Sequence, residues 1–129
     1  MMPGASQEAR LSELFAQCLT ELLVELGVRP QRLTGGRQPP PTGESIAAFS
    51  GFVGDDLRGS YTLLGSSKLF ARLDPLPPIV TPRDLSDWAC ELVNQSVSRF
   101  HNRLLAYGVK LAISVPPSAL AGDLRLASS

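Results

Sequence analysis

The sequence predicts an α+β domain in which a mostly antiparallel sheet packs against two long helices. Two segments, 8–26 and 82–107, repeat apolar residues every three or four positions, as amphipathic helices do. Between them, two apolar segments flank a Gly-Asp-Asp sequence at 54–56, which is typical of a hairpin turn. Helices mixed with a largely antiparallel sheet define the α+β class.

Length and composition fit one globular domain covering residues 1–129. Apolar residues make up 43% of the chain, enough for a core that needs neither a metal nor a disulfide. Lys plus Arg equals Asp plus Glu at 12 each, so we expect neither nucleic acid nor a membrane surface as a partner. No apolar segment reaches transmembrane length and residues 1–10 lack a signal-peptide core, so we expect a cytoplasmic protein.

The first helix is predicted over 8–26 and is expected to end at Gly27. Its apolar face contains Leu11, Leu14, Phe15, Cys18, Leu19, Leu22, Leu23 and Leu26. A flexible loop is predicted over 28–44, which contains a glycine pair and three consecutive prolines. Cys18 and Cys90 both fall in helical patterns, so we expect inert, partly or fully buried thiols.

The middle of the chain predicts a hairpin and then a short helix. Strands are predicted over 45–52 and 57–64, on either side of the turn. A short helix over 66–73 follows, and a proline-rich connector leads to the second long helix.

The second long helix has the clearest boundaries. At its start, Thr81 supplies a capping hydroxyl and Pro82 suits the first turn. The negative charge of Asp84 interacts favourably with the helix dipole there. Gly108 is expected to end the helix.

The last part of the chain predicts strands. The first is predicted over 109–115, with Val109, Leu111, Ile113 and Val115 on one face. Pro116-Pro117 is expected to end it, and a last short strand is predicted over 123–127.

The second helix has a polar stripe opposite its apolar face. Apolar positions expected to pack on the sheet are Leu85, Trp88, Ala89, Leu92, Val93, Phe100 and Leu104. Asp87, Glu91, Asn94 and Ser98 lie almost opposite, at spacings that make their side chains neighbours. Any surface helix has a solvated face. Asn94 favours a second interpretation, a functional site, because Asn is a poor residue for a helix interior.

This arrangement resembles the CheC, CheX and FliY family of chemotaxis phosphatases. Those proteins carry an Asp or Ser, then Glu, then Asn on an exposed helix, followed by a glycine, a hydrophobic strand and a proline. The matching residues here are Asp87, Glu91, Asn94, Gly108 and Pro117. A glycine-marked hairpin at 51–59 is also similar, and the resemblance covers about residues 10–122.

The resemblance implies a CheX-like domain with hydrolase activity in two-component signalling. The domain is expected to dock on a CheY-like receiver domain and hydrolyse its aspartyl phosphate. Asn94 and Glu91 are the expected catalytic residues, Asn94 by orienting a water and Glu91 by pairing with a receiver lysine. Asp87, Glu91 and Ser98 are expected to bind the partner. The receiver supplies Mg²⁺, so we expect no cofactor or metal site in this chain.

Two departures from the family keep alternatives open. Ser98 stands where members often have glycine, and its larger side chain narrows the space beside Asn94. Members usually continue through further strands beyond the position of Gly122, whereas this sequence has few residues after it. CheX-type domains form homodimers. The sequence therefore leaves open whether this domain is a homodimer or a monomer. The alternative functions are a non-catalytic receiver-binding or motor-switch-like interaction domain, and a fragment whose core a partner chain completes.

Other catalytic interpretations have less support. His101, the only histidine, lies toward the polar flank of the second helix and is expected to be a surface or boundary residue. Asp55-Asp56 is expected to be a turn pair rather than a metal or acid–base pair.

Overall fold

The computed structural model describes residues 3–31, 44–73 and 81–122. In chain order the elements are α1 (Pro3–Glu25), β1 (Ser45–Val53), β2 (Arg58–Ser66), α2 (Ser67–Arg72), α3 (Pro82–Leu105) and β3 (Ala112–Gly122). Among the described residues, the strands form one antiparallel sheet in the order β2-β1-β3. The helices pack against this sheet, which confirms the predicted α+β class.

The predicted helices and hairpin are confirmed, with small changes in their bounds. α1 begins five residues earlier than predicted, at Pro3 instead of residue 8. Most of the predicted loop, residues 32–43, lies outside the described residues, as does the strand predicted over 123–127.

The hairpin of β1 and β2 is regular along its whole length. Pairing runs without a register shift from Ser45 opposite Ser66 to Val53 opposite Arg58. The turn is closed by the Gly54 N–H, which donates to the Leu57 carbonyl at 2.6 Å. Asp55 and Asp56 lie in this turn, where they are exposed, as expected.

Gly59 lets a core aromatic ring lie close to the backbone of β2. It pairs with Phe52, and a Cβ atom at Gly59 would lie 2.5 Å from the Phe52 Cζ atom. Real carbon atoms do not approach so closely, so any side chain here would displace the ring.

The core lies between the sheet and the helices. Its buried apolar residues are Cys18, Leu22, Ile46, Ala48, Phe52, Tyr61, Phe70, Leu73, Ala89, Leu92, Val93, Val97, Phe100 and Leu104. Phe15 of α1 stacks on Tyr61 of β2 with ring centroids 4.4 Å apart. Phe100 of α3 meets both of these rings edge-on, at 5.6 Å from each. Aromatic contacts therefore join α1, α3 and the hairpin.

The bounds predicted for the strand over 109–115 are wrong, because β3 begins at Ala112, passes through Pro116 and Pro117, and continues to Gly122. Two register shifts occur between Phe49 and Phe52 of β1, and at each of them β3 has one extra residue. Proline fits there because a bulge at an edge strand does not require its missing N–H. The buried Ser50 hydroxyl donates to the Val115 carbonyl at 2.8 Å and so supports the bulge.

These bulges also make the predicted apolar face of β3 wrong. Val115 pairs with Gly51 and Ile113 with Phe52, which are consecutive residues of β1 and so point to opposite faces of the sheet. Their side chains are 43% and 49% exposed. The alternation in the sequence therefore does not produce a buried face here.

Candidate functional site

The candidate site lies on α3, whose start is fixed by local capping. The Thr81 hydroxyl accepts a hydrogen bond from the Asp84 backbone N–H at 3.1 Å. This cap satisfies one of the free N–H groups of the first turn, and Asp84 adds a favourable charge there. The helix ends in a turn in which Gly108 has φ +78°, as the sequence predicts.

Core packing fixes which side of α3 faces outward. Ala89, Leu92, Val93, Phe100 and Leu104 are buried, as predicted, and Leu85 and Trp88 pack at the edge of the core. The buried Ser96 hydroxyl donates to the Leu92 carbonyl of the preceding turn at 2.8 Å. The Ser96 hydroxyl is thus satisfied inside the core, and rotation of the helix would expose its buried apolar side chains.

Two ion pairs attach one flank of α3 to α1. Arg99 binds Glu25, and Arg103 binds Glu21. Since the residue numbers fall on one helix as they rise on the other, the two helices run antiparallel. The hydrogen bond to Glu21 also raises the pKa of Arg103, so its charge is secure at any physiological pH.

The side of α3 that faces away from the core presents the predicted polar stripe, formed by Asp87, Glu91, Asn94 and Ser98. All four residues are exposed. Steps of three or four residues put them on one face of the helix, over roughly 16 Å of its length at 1.5 Å per residue. The structure brings them together as the sequence predicts, while their roles stay predictions.

Two further residues of α3 belong to the surroundings of this stripe. The Gln95 amide Nε2 donates to Glu91 Oε1 at 3.1 Å. Asn102 is exposed eight residues after Asn94, beyond the C-terminal end of the stripe. The sequence carried a signal for Gln95, its spacing of four from Glu91, but amide–carboxylate pairs at that spacing are common on helices.

His101 lies at the boundary between the buried and exposed sides, as predicted. It is half-buried, with its ring centroid 6.5 Å from that of Phe52 and 6.3 Å from that of Phe100. Its Nε2 atom is buried and has no hydrogen-bond partner among the described residues. Burial lowers the pKa of His101, because the charged imidazolium loses hydration.

The two cysteines are free thiols without the properties of a nucleophile. Cys18 is buried and Cys90 is half-buried. Burial is the main reason why the pKa of each thiol is raised. A raised pKa leaves little thiolate at neutral pH, which agrees with the inert role predicted from the sequence.

Neither a convergent cluster of metal ligands nor a membrane-spanning helix occurs in the described part of the chain. Across residues 3–31, 44–73 and 81–122, no three His, Cys, Asp or Glu side chains converge as a metal site requires. Over the same residues, no helix combines the length and the apolar character needed to cross a bilayer.

Two solved structures with a similar fold are chemotaxis proteins. The chemotaxis protein CheX from Vibrio vulnificus matches with a TM-score of 0.70 and 16% identity, over 92% of this chain and 78% of its own. A CheX from Desulfovibrio desulfuricans matches with a TM-score of 0.65 and 18% identity, over 88% and 79%. No family model matches the sequence, and no curated protein does either. The predicted CheX-like fold is therefore confirmed at the level of structure.

Proposed function

We propose that this domain docks on a CheY-like receiver domain and promotes hydrolysis of its aspartyl phosphate. The observation that supports this most directly is the exposed row of Asp87, Glu91 and Asn94 on a rigidly packed helix of a CheX-like fold. Such a row is accessible to a partner, and its side chains require no rearrangement of the core to reach one.

Hydrolysis of an aspartyl phosphate requires few catalytic groups from the docking protein. An aspartyl phosphate is an activated acyl phosphate, and water attacks phosphorus while the bond to the aspartyl oxygen breaks, giving inorganic phosphate and a free carboxylate. Phosphoryl transfer depends mainly on positioning and on stabilising charge. By resemblance, the Mg²⁺ and a lysine belong to the receiver, so this chain needs to contribute mainly the placement of one water.

Asn94 is the proposed catalytic residue. Its amide oxygen accepts a hydrogen bond from a water molecule, and its NH₂ group can donate one to the same water. One side chain can therefore fix both the position and the orientation of that water. Asn94 is exposed at the middle of α3, between the buried neighbours Val93 and Val97 that hold its backbone in place. A water held there would face the docked receiver.

Glu91 is proposed to pair with the receiver's lysine and thereby set the register of docking. An ion pair in full contact with water contributes little, but one that loses its water at an interface discriminates strongly between geometries. Asp87 and Ser98, one turn before and after the Glu91–Asn94 pair, are proposed to contact the partner.

A second candidate function is supported by Ser98. It is exposed on the stripe one turn after Asn94, where its side chain takes space that a glycine would leave open. A domain crowded at this point would bind a phosphorylated receiver without accelerating phosphate loss.

The homodimer implied by the resemblance also stays a prediction, which the mass of the protein in solution tests.

The test is the lifetime of phosphorylated receiver domains from the same genome, with and without this protein. We expect wild type to shorten the lifetime of at least one receiver, and Asn94→Ala to lose about 100-fold or more of that acceleration. Asn102→Ala is the matched control, because it removes the same side chain from an exposed position of the same helix.

The outcomes separate the two candidates. If Asn94→Ala accelerates phosphate loss as well as wild type does, the Asn94 mechanism is wrong. Specific binding of a phosphorylated receiver without any change in its lifetime would support the binding module instead. Equal unfolding free energies for the two asparagine variants would show that any difference in activity comes from chemistry rather than folding.

A further inference from the structure

The hydrogen bond between Gln95 and Glu91 is a feature that docking alone does not require. Gln95 lies one turn after Glu91 and donates its amide hydrogen to Glu91 Oε1 at 3.1 Å. Gln95 is half-buried, whereas Glu91 is exposed. A carboxylate has two oxygens that accept hydrogen bonds in several directions, so this contact leaves Oε2 available to a partner. The bond therefore limits the orientations of Glu91 without covering it.

Along one row of α3 side chains, the two cations are paired and, within the part of the chain that the structure describes, the carboxylate is not. Positions 91, 95, 99 and 103 form one row, at steps of four. Arg99 and Arg103 are engaged by carboxylates of α1. Among the described residues, Glu91 has no ion pair, and the side chain that contacts it is neutral. The Glu91 carboxylate is thus oriented by a neutral donor and is not paired with a cation among the described residues.

A lysine or a methionine at position 95 would lack one of two properties, a neutral charge or a hydrogen-bond donor. A lysine four residues after a glutamate forms a favourable helix ion pair, so it would compete with a cation of the partner. A methionine fills similar space but donates no hydrogen bond, so the Glu91 carboxylate would sample more orientations and lose more entropy on docking. A neutral donor alone orients the carboxylate and leaves its charge uncompensated.

We propose that Gln95 is a positioning residue, which orients the Glu91 carboxylate for a cationic side chain of the partner without neutralising it. This proposal rests on the proposed function, since it requires that Glu91 meets a cation at the docking surface. Gln95 itself touches neither the phosphate nor the water, so its effect belongs to docking, and turnover of the docked complex is unchanged.

The experiment measures kcat and KM for dephosphorylation, and Kd for the same receiver carrying beryllofluoride as a stable phosphate mimic. We expect Gln95→Met to raise KM and Kd about twofold at unchanged kcat, as a helix pair at this spacing allows. Gln95→Lys should raise them about tenfold, because it competes for Glu91 and repels the partner's cation. That larger defect should shrink at high salt, which screens exposed charges.

A double-mutant cycle separates positioning from a structural role. In a Glu91→Ala background, Gln95→Met should have no further effect on KM, because the side chain it positions is gone. A penalty of the same size in that background would overturn the proposal, as would an active wild type whose KM is unchanged by Gln95→Met. A wild type that neither binds nor dephosphorylates any receiver would instead reject the proposed function, and the positioning role with it.

Discussion

The buried and exposed faces of α3 come from the same 24 residues but depend on different interactions. Ala89, Leu92, Val93, Val97 and Phe100 are at most 2% exposed, and all five belong to the hydrophobic core. The polar stripe lies on the other side and is exposed. Its one described side-chain hydrogen bond to a neighbour is that between Glu91 and Gln95. The comparison teaches that stability and proposed activity should be separable on one helix.

The largest effect is expected for Phe100→Ala on the buried face. Phe100 is 2% exposed and meets the rings of Phe15, Phe52 and Tyr61. Removing its ring leaves a cavity where α3 packs against α1, β1 and β2. We therefore expect the free energy of unfolding to fall by about 3–5 kcal/mol. Denaturant unfolding measures this loss, and a loss below about 1 kcal/mol would contradict the described core.

The control for that prediction lies on the other face. Asn94→Ala removes an exposed side chain from the same helix, and Ala is the better helix former. We therefore expect its unfolding free energy to stay within about 0.5 kcal/mol of wild type.

His101 tests where the boundary between the two faces lies. Burial lowers its pKa from the ordinary value of 6.5, so the unfolded chain binds a proton more readily than the folded protein. The stability that depends on neutral His101 is therefore fully present above about pH 6.5 and is lost as the pH falls below it.

His101→Gln should flatten this pH dependence, because glutamine does not titrate. Unfolding free energies measured from pH 7.5 to 5 should fall less steeply for the variant, by at most about 1.4 kcal/mol per pH unit for one proton. Identical slopes for variant and wild type would place His101 on the exposed face.

A small effect on stability is expected for Ser98→Gly, which sharpens the exposed side of the comparison. Glycine is a poorer helix former, so we expect a loss of about 0.5 kcal/mol in unfolding free energy. The space that it opens beside Asn94 should nevertheless tighten binding of a phosphorylated receiver. Ser98→Ala is the control, since it keeps the Cβ atom and favours the helix; tighter binding by Ser98→Ala alone would contradict the crowding argument.

Some of the candidate site could be predicted from the sequence because it depends on one helix. The exposure of Glu91 and Asn94 follows from the helical period once the apolar face is known. The bond from Gln95 could not be assigned, because spacing shows that two side chains can meet and not that they do. The buried Nε2 atom of His101 depends on Phe52, which is 49 residues away in the chain.

The sequence by itself determined the features that depend on near neighbours. The cap at Thr81 and the turn at Gly108 rest on interactions within about four residues, and the apolar and polar faces of α3 follow from its helical period, so the order of residues specifies them directly. Tertiary structure alone decided the path of β3. Proline lacks the N–H that a strand pair uses, so Pro116-Pro117 predicts an end. The strand continues because the neighbouring β1 tolerates a bulge there and Ser50 donates a hydrogen bond to the Val115 carbonyl. Whether a missing donor ends a strand depends on what the adjacent strand requires at that point, and local sequence does not specify it.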